Sequence, residues 1–517
     1  MLPIFTLVHL LEQRATDSGT EIAISSLDEI LTYRDVAVLA AGRAAVLHDL
    51  GVRRGDRVAL LLPNCADAAS WFFGALGLGA VAVFVNDSLR QRQVSHIVRH
   101  SGATVAVTNR RLRPLLDEGD LDDRHIVDVT VAAAGRSAPL APVVSRDLAA
   151  LIYTSGSTGQ PKGVMVTHGN LVAGARIVAA YLGLTAADRT LSVLPWSFDA
   201  GLNQVLATFW AGGRLVIAGS TYPPDVCRTL AASGATGMAG VPPLWELLVN
   251  GRPGGLLRAT LPDLRYITNT GGPLRRQTLG RIRQAHPHLD VYLMYGLTEA
   301  FRSTYLPPEL VDDRAGSIGR AIPDTEILVV SPSGQPVPPG ETGELVHRGP
   351  TVAAGYWRDP EATARVFRAH PHAPPGAVTE YVVYSGDYVR QDPEGFLYHV
   401  GRRDEQFKCR GFRVNPGEIE AALLDSGLVA EVVVYPTPGA NGDAEIVAAV
   451  VTDHDARRQV SRLQQYCRDA LPAHQQPHRF APLPAFPRTS SGKVDRRSVQ
   501  ALTSHPAEPA GTAPHVE

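Results

Sequence analysis

The chain has 517 residues, 44% hydrophobic and 19% charged, and its 49 Lys plus Arg against 51 Asp plus Glu leave a formal charge of −2. This is ordinary globular usage, which excludes disorder, coiled coil or collagen as the main architecture, and at about 150 residues per domain it allows two to four domains. No basic excess points to nucleic acid.

In chain order, MLPIFTLVHLLEQRATDSG lacks a positive leading segment and a small-residue cleavage site, so its helically spaced apolar residues predict an amphipathic helix rather than a signal peptide. RDVAVLAAGRAAVLHDL predicts a helix stopped by Gly51, and RVALLLP a buried strand. Ala68 to Asn86 carries no charge for 19 residues, long enough to span a bilayer on length alone. Gly74, Gly77 and Gly79 followed by AVAVFV predict instead a helix ending near Gly79 and then a buried strand. QRQVSHIVRHSG and TVAVT add a helix and a strand, and after residue 150 ATFWAG, RLVIAG, DVCRTLAASG and LRYITNTG repeat the rhythm. Such alternation predicts a parallel sheet covered by helices on both faces, an α/β fold.

AHPHAPPGAVTE, residues 369 to 380, reads as an exposed loop, and GRRDEQFKCRGFR, residues 401 to 413, as the domain boundary. Beyond it, GEIEAALLDSG and SRLQQYCRDAL read as helices and AEVVVYPTPGANGDAEIVAAVVTD as two strands around a turn, a small α+β domain. The expected division is a large domain of helix-covered β-sheets over residues 1–403, the small domain over 404–500, and a Pro/Ala-rich disordered tail over 501–517. Cys65, Cys227, Cys409 and Cys467 form no CxxC pair, which fits a reducing, cytoplasmic location.

The chemistry begins at LIYTSGSTGQPKGVMVTHGNL, residues 151 to 171. Small residues admit an anion close to backbone N–H groups, hydroxyls add donors and a lysine adds charge. Thr154, Ser155, Gly156, Ser157, Thr158, Gly159 and Lys162 therefore read as a phosphate loop, against the alternative of a solvated Ser/Gly linker. It is not the common nucleoside-triphosphatase loop, because Pro161 precedes the lysine.

YTSGSTGQPKG resembles the phosphate loop of the adenylate-forming superfamily: acyl-CoA synthetases, luciferase-like enzymes and the adenylation domains of peptide synthetases. YGLTEA at 295–300, YSGDYV at 384–389, GRRDEQFKCRGFRVNPGEIE at 401–420 and PRTSSGKVDRR at 487–497 resemble further motifs of that family in order. The resemblance, over residues 1 to 500, implies ATP-dependent activation of a carboxylic acid to an acyl-AMP with release of pyrophosphate, then transfer to a thiol. The implied cofactors are ATP, Mg2+ and either CoA or the phosphopantetheine of a separate carrier protein; no membrane span is expected.

The resemblance places Tyr295 against adenine, with Gly271, Gly272 and Gly296 beside the nucleotide, Thr298 on the α-phosphate and Glu299 on magnesium. It places Asp387 on the ribose hydroxyls, where an Asx turn is the alternative, with Arg402 on the nucleotide. The resemblance makes Lys493 the lysine expected to swing into the cleft on a mobile small domain, so that Lys493, Thr298 and Glu299 form the implied catalytic set. Asp404 is the implied hinge, and Gly411 lines the implied thiol tunnel, where a side chain would obstruct.

The implied acyl pocket comprises Asp199, Asn203, Thr268, Asn269, Thr270, Met294, Arg302 and Ser303, polar enough to favour a small or polar acid. Asp199 holds the position at which amino-acid-activating members pair the substrate ammonium. WSFDAGLNQ and MYGLTEAFRSTYLPPE also resemble acyl-CoA ligases found with exosortase gene clusters, which carry the same aspartate. Arg302 either pairs with a second substrate carboxylate or shapes the wall by pairing with Asp199 or Glu309. The first functional reading is an acyl-CoA ligase; the second is a stand-alone amino-acid adenylation enzyme loading a separate carrier. A silent nucleotide-binding scaffold is a third reading, opposed by the presence of Lys493, Glu299 and Asp387.

Overall fold

The computed structural model describes residues 4–503 apart from 118, 123–124, 132–134, 155–160, 252–254, 404–406, 410–411, 415, 440–443, 452–455, 474 and 490–491. Ser155, Gly156, Ser157, Thr158, Gly159, Asp404, Gly411 and the tail beyond Thr503 therefore lie outside the described residues.

Local chemistry sets the expected elements. The helix Tyr33–Asp49 opens with a reciprocal cap, in which the Thr32 hydroxyl accepts from Asp35 N–H and the Asp35 carboxylate accepts from Thr32 N–H. It stops before Gly51, which takes a left-handed φ of +86°. The uncharged stretch is a core helix, Ala66–Gly77, followed by the fully buried strand Val81–Val85. It packs so closely on its neighbour that a Cβ on Gly74 would lie 2.8 Å from the Ala40 carbonyl oxygen. Among the described residues no helix is long and apolar enough to cross a membrane.

Two large sheets follow. The first, six-stranded, runs in the order Ile126–Asp128, Ala103–Thr108, Arg57–Leu61, Val81–Val85, Leu148–Thr154, Lys162–Thr167. Its strands are parallel except for the last pair, an antiparallel hairpin with Thr154 opposite Lys162 at the ends of the phosphate segment. The second has fourteen strands, and its parallel part contains Asp290–Tyr295, Tyr266–Asn269, Gly237–Gly240, Arg189–Ser192, Arg214–Ile217 and Ile22–Ser25. Beyond Asp290–Tyr295 it continues antiparallel through Thr304–Leu306, Ser317–Ala321, Leu397–Arg402, Tyr381–Gln391, Thr342–Arg348 and Glu326–Val330. The α/β expectation holds, with this antiparallel half added to it.

The C-terminal part has its own core, including Cys409, Val414, Ile419, Leu423, Val434, Ile446, Leu463 and Cys467. Its sheet pairs Glu431–Pro438 antiparallel with Ala444–Val451, and Arg479–Leu483 parallel to the latter. The final helix, Arg496–Thr503, buries Thr503, whose hydroxyl is 2.6 Å from the Tyr435 hydroxyl. Residues 501–503, expected in the tail, thus belong to the fold, because this contact anchors the last turn. All four cysteines are free thiols, and burial pushes Cys65, Cys227 and Cys467 up to about 11, which keeps them protonated and unreactive.

Candidate active site

Open parallel sheets offer ligands a crevice beyond the carboxyl ends of their strands. Four segments converge there: Pro195–Asp199 after Arg189–Ser192, Val241 after Gly237–Gly240, Thr270–Gly272 after Tyr266–Asn269, and Gly296–Glu299 after Asp290–Tyr295. Gly271 turns with φ +78°, and a Cβ on Gly296 would meet the Arg302 Cα and the Phe301 carbonyl oxygen, both at 3.0 Å. Phe301 itself holds φ +63°, which is rare for a bulky residue and costs about 1–3 kcal/mol. Its ring fills the notch at Gly174, where a Cβ would lie 2.5 Å away, and that wedge keeps the turn strained.

At the phosphate end, Lys162 Nζ lies 3.1 Å from Asp359 Oδ2 and 5.4 Å from the centre of the Tyr356 ring. The Tyr356 hydroxyl donates to Glu299 Oε1 at 2.5 Å, leaving Oε2 without a protein partner among the described residues. Ala353 N–H binds the Glu299 carbonyl, and the backbone of 354–357 pairs with the strand after the phosphate segment. Nothing in the sequence around Tyr356 and Asp359 singles them out; they lie 57 and 60 positions from Glu299, and no local pattern marks them. A half-buried carboxylate with one free oxygen suits a magnesium ion completed by phosphates and water.

On the opposite wall, buried Asp387 uses both oxygens: Oδ2 accepts from the Tyr295 hydroxyl at 2.5 Å, and Oδ1 from Arg402 Nη1 at 3.1 Å. His399 Nε2 lies 3.5 Å from Oδ1. Burial opposes ionisation, but the His399 bond, the Arg402 charge and the Tyr295 bond together hold Asp387 below the usual carboxylate range. Burial and the neighbouring carboxylate raise Tyr295, which stays protonated as a donor. Oδ2, with one partner, retains a further lone pair for a ribose hydroxyl.

Lys493 comes from the C-terminal part, in a tight turn closed by Thr489 N–H to the Lys493 carbonyl at 2.8 Å. A Cβ on Gly271 would lie 3.8 Å from Lys493 Cε. The exposed lysine is therefore at the lip of the crevice, beside the glycine turn. Thr298 sits half-buried in the same crevice.

The helix Asp199–Ala211 presents Asn203 and Ala207 to a cavity that Thr268, Met294 and Arg302 also line. Asp199 stands one helical turn before Asn203, and its Oδ2 receives Arg302 Nη1 at 2.8 Å, so the wall-shaping ion pair with Asp199 is present. Thr270 and Ser303 are buried outside that cavity lining. The Ser303 hydroxyl is 3.0 Å from His347 Nδ1, and His347 Nε2 is 3.1 Å from Thr351 Oγ1. Asn269 Nδ2 donates to the Gly272 carbonyl, which fixes the glycine turn.

His347 carries a pH consequence. Burial lowers it to about 3, and burial likewise lowers His168, whose Nδ1 accepts from Leu7 N–H, to about 4. An imidazole depressed in the folded state contributes stability that is complete above its unfolded pKa, near 6.5, and is lost as pH falls toward the folded value. Each is expected to cost about 2 kcal/mol at pH 5 relative to pH 7.5. Thermal unfolding across that range checks this; a melting temperature independent of pH would contradict it, and His347→Asn should flatten part of the slope.

The AMP-binding enzyme family matches residues 11–357, and the AMP-binding enzyme C-terminal domain matches residues 418–493. Tyrocidine synthase 3 of Brevibacillus parabrevis is 30% identical over 502 residues, which are 96% of this chain and 8% of that protein. Phosphinothricin tripeptide synthetase PhsC of Streptomyces viridochromogenes is 32% identical over 98% of this chain and 46% of its own length. The chain thus spans less than half of either relative. Among solved structures, the anthranilate CoA ligase AuaEII in complex with anthranoyl-AMP superimposes with a TM-score of 0.86 at 25% identity, covering 97% of this chain and 98% of that one. The o-succinylbenzoate CoA synthetase MenE from Bacillus subtilis with its acyl-adenylate intermediate gives 0.82 at 27%, covering 95% and 97%. With one family model over residues 11–357 and its C-terminal companion over 418–493, the chain belongs to the AMP-binding enzyme family.

Proposed function

We propose that the protein activates a small carboxylic acid with ATP and transfers the acyl group to CoA. The observation that carries the reading is the position of Lys493 Cε beside Gly271, on the same crevice as Thr298, Glu299 and Asp387. A substrate carboxylate oxygen attacks the α-phosphorus; the bond to the β-phosphate bridging oxygen breaks, and pyrophosphate leaves with the electron pair. Lys493 and Thr298 hold the oxygens on which charge gathers, and Glu299 holds the metal side. Magnesium, when bound, neutralises phosphate charge. Asp387 and Tyr295 orient the nucleoside. A thiol then attacks the acyl carbonyl, forming the thioester and releasing AMP.

The hinge at Asp404, the thiol path beside Gly411 and the division at residues 403/404 rest on the sequence resemblance. Likeness in fold to an anthranilate CoA ligase and an o-succinylbenzoate CoA synthetase supports CoA as acceptor. Asp199 supports the second reading, an amino acid passed to a separate carrier protein. Acid-dependent release of pyrophosphate, measured with and without CoA, tests the proposal. Turnover that requires one acid and becomes catalytic only with CoA is expected. Turnover restored by a carrier protein instead of CoA would establish the second reading, and silence with every acid would remove both.

A further inference from the structure

Arg302 is only 4% exposed, and its guanidinium is used on one side only. Nη1 donates to Asp199 Oδ2 at 2.8 Å and to the Phe301 carbonyl at 2.9 Å. Nε is buried without a partner, and Nη2 donates to nothing among the described residues. A guanidinium offers paired N–H groups that match the two oxygens of a carboxylate, and here the Nε–Nη2 edge is vacant. Arg302 lines a small cavity shared with Asn203, Gln204 and Thr268. Asn203, 4% exposed, adds a third unpartnered donor at Nδ2, and Gln204, 7% exposed, an unpartnered acceptor at Oε1. A buried polar group left unpaired costs about 1–3 kcal/mol, so this wall is built to receive oxygen atoms.

Charge narrows the occupant further. Asp199 and Arg302 already cancel each other. A plain second carboxylate adds one uncompensated negative charge to a buried site, and a plain ammonium adds one positive charge; either is costly. An acid that brings both adds neither. The second oxygen of Asp199 has no hydrogen-bond partner among the described residues, and Asp199 stands about 6 Å before Asn203 along the helix. We infer that the acid is an acidic α-amino acid of the aspartate or glutamate class. Its side-chain carboxylate lies on the Arg302 Nε–Nη2 edge and Asn203 Nδ2, and its ammonium on the free Asp199 oxygen. Its reacting carboxylate is left toward Lys493. This inference rests on the adenylation reading and specifies its substrate.

ATP–pyrophosphate exchange on the wild-type chain tests it, with both enantiomers of aspartate and glutamate against asparagine, alanine, succinate and butyrate. An acidic amino acid is expected to exceed both alanine and succinate by about tenfold or more in kcat/KM. Arg302→Gln should abolish that advantage through KM while leaving exchange with a neutral amino acid measurable. Because Arg302→Gln also disturbs a buried ion pair, Asn203→Ala is the second variant, expected to weaken the acidic amino acid several-fold more than it weakens alanine. Exchange led by alanine, butyrate or succinate would overturn the inference and leave adenylation standing. Exchange with no acid at all, together with no thermal stabilisation by an acidic amino acid in the presence of ATP, would overturn both.

Discussion

Replacing Lys493 with alanine is expected to slow adenylate formation by about 10²–10³-fold while leaving ATP binding nearly unchanged. The lysine is exposed, it sits in a turn closed by its own backbone, and no side-chain hydrogen bond or ion pair among the described residues uses its ammonium group. The fold therefore does not depend on it, and the loss should fall on kcat. The informative measurement compares two half-reactions of the same variant: pyrophosphate exchange, and thioester formation from acyl-AMP supplied ready-made. Loss in the first with retention in the second is the expected pattern. Equal loss in both would mean that the lysine serves the whole site, and no loss in either would remove it from the chemistry.

Glu299→Gln carries the second large effect. The Tyr356 hydroxyl can still donate to the amide oxygen, so the side chain keeps its place while its charge disappears. A fall of about 10²-fold in kcat/KM is expected, steepest at low magnesium and partly recovered by raising it. Tyr356→Phe is the control for position: it leaves the charge, frees Oε1 and should cost about tenfold or less. If the glutamine variant kept full activity at limiting magnesium, Glu299 would have no part in holding the metal.

Much of the large part is legible in the sequence because its cues are local. The Thr32–Asp35 cap, the stop at Gly51 and the glycines closing the uncharged stretch each act over a few residues. The antiparallel half of the large sheet is not legible in the same way, since strands such as YVVYSGDYVRQ carry site residues and bulges that blur any simple alternation. In the site, Tyr295, Thr298, Glu299, Asp387 and Lys493 are legible through their motifs. What the motifs do not convey is how these residues are held. Asp359 meets Lys162, and Tyr356 meets Glu299, across long sequence separations. The sequence leaves Arg302 facing either the substrate or Asp199; the fold pairs it with Asp199 through one nitrogen and leaves Nε buried without a partner.

The helix Asp199–Ala211 places Asp199, Asn203 and Ala207 on a single stripe, four residues apart, with Arg302 arriving from the strained turn opposite. None of these side chains hydrogen-bonds Lys162, Glu299 or Asp387. On the proposed reading, the residues that choose the acid are thus few and make no side-chain hydrogen bond to those around the phosphates. On that reading, a few codon changes along this stripe would exchange one acid for another and leave Lys162, Glu299 and Asp387 untouched.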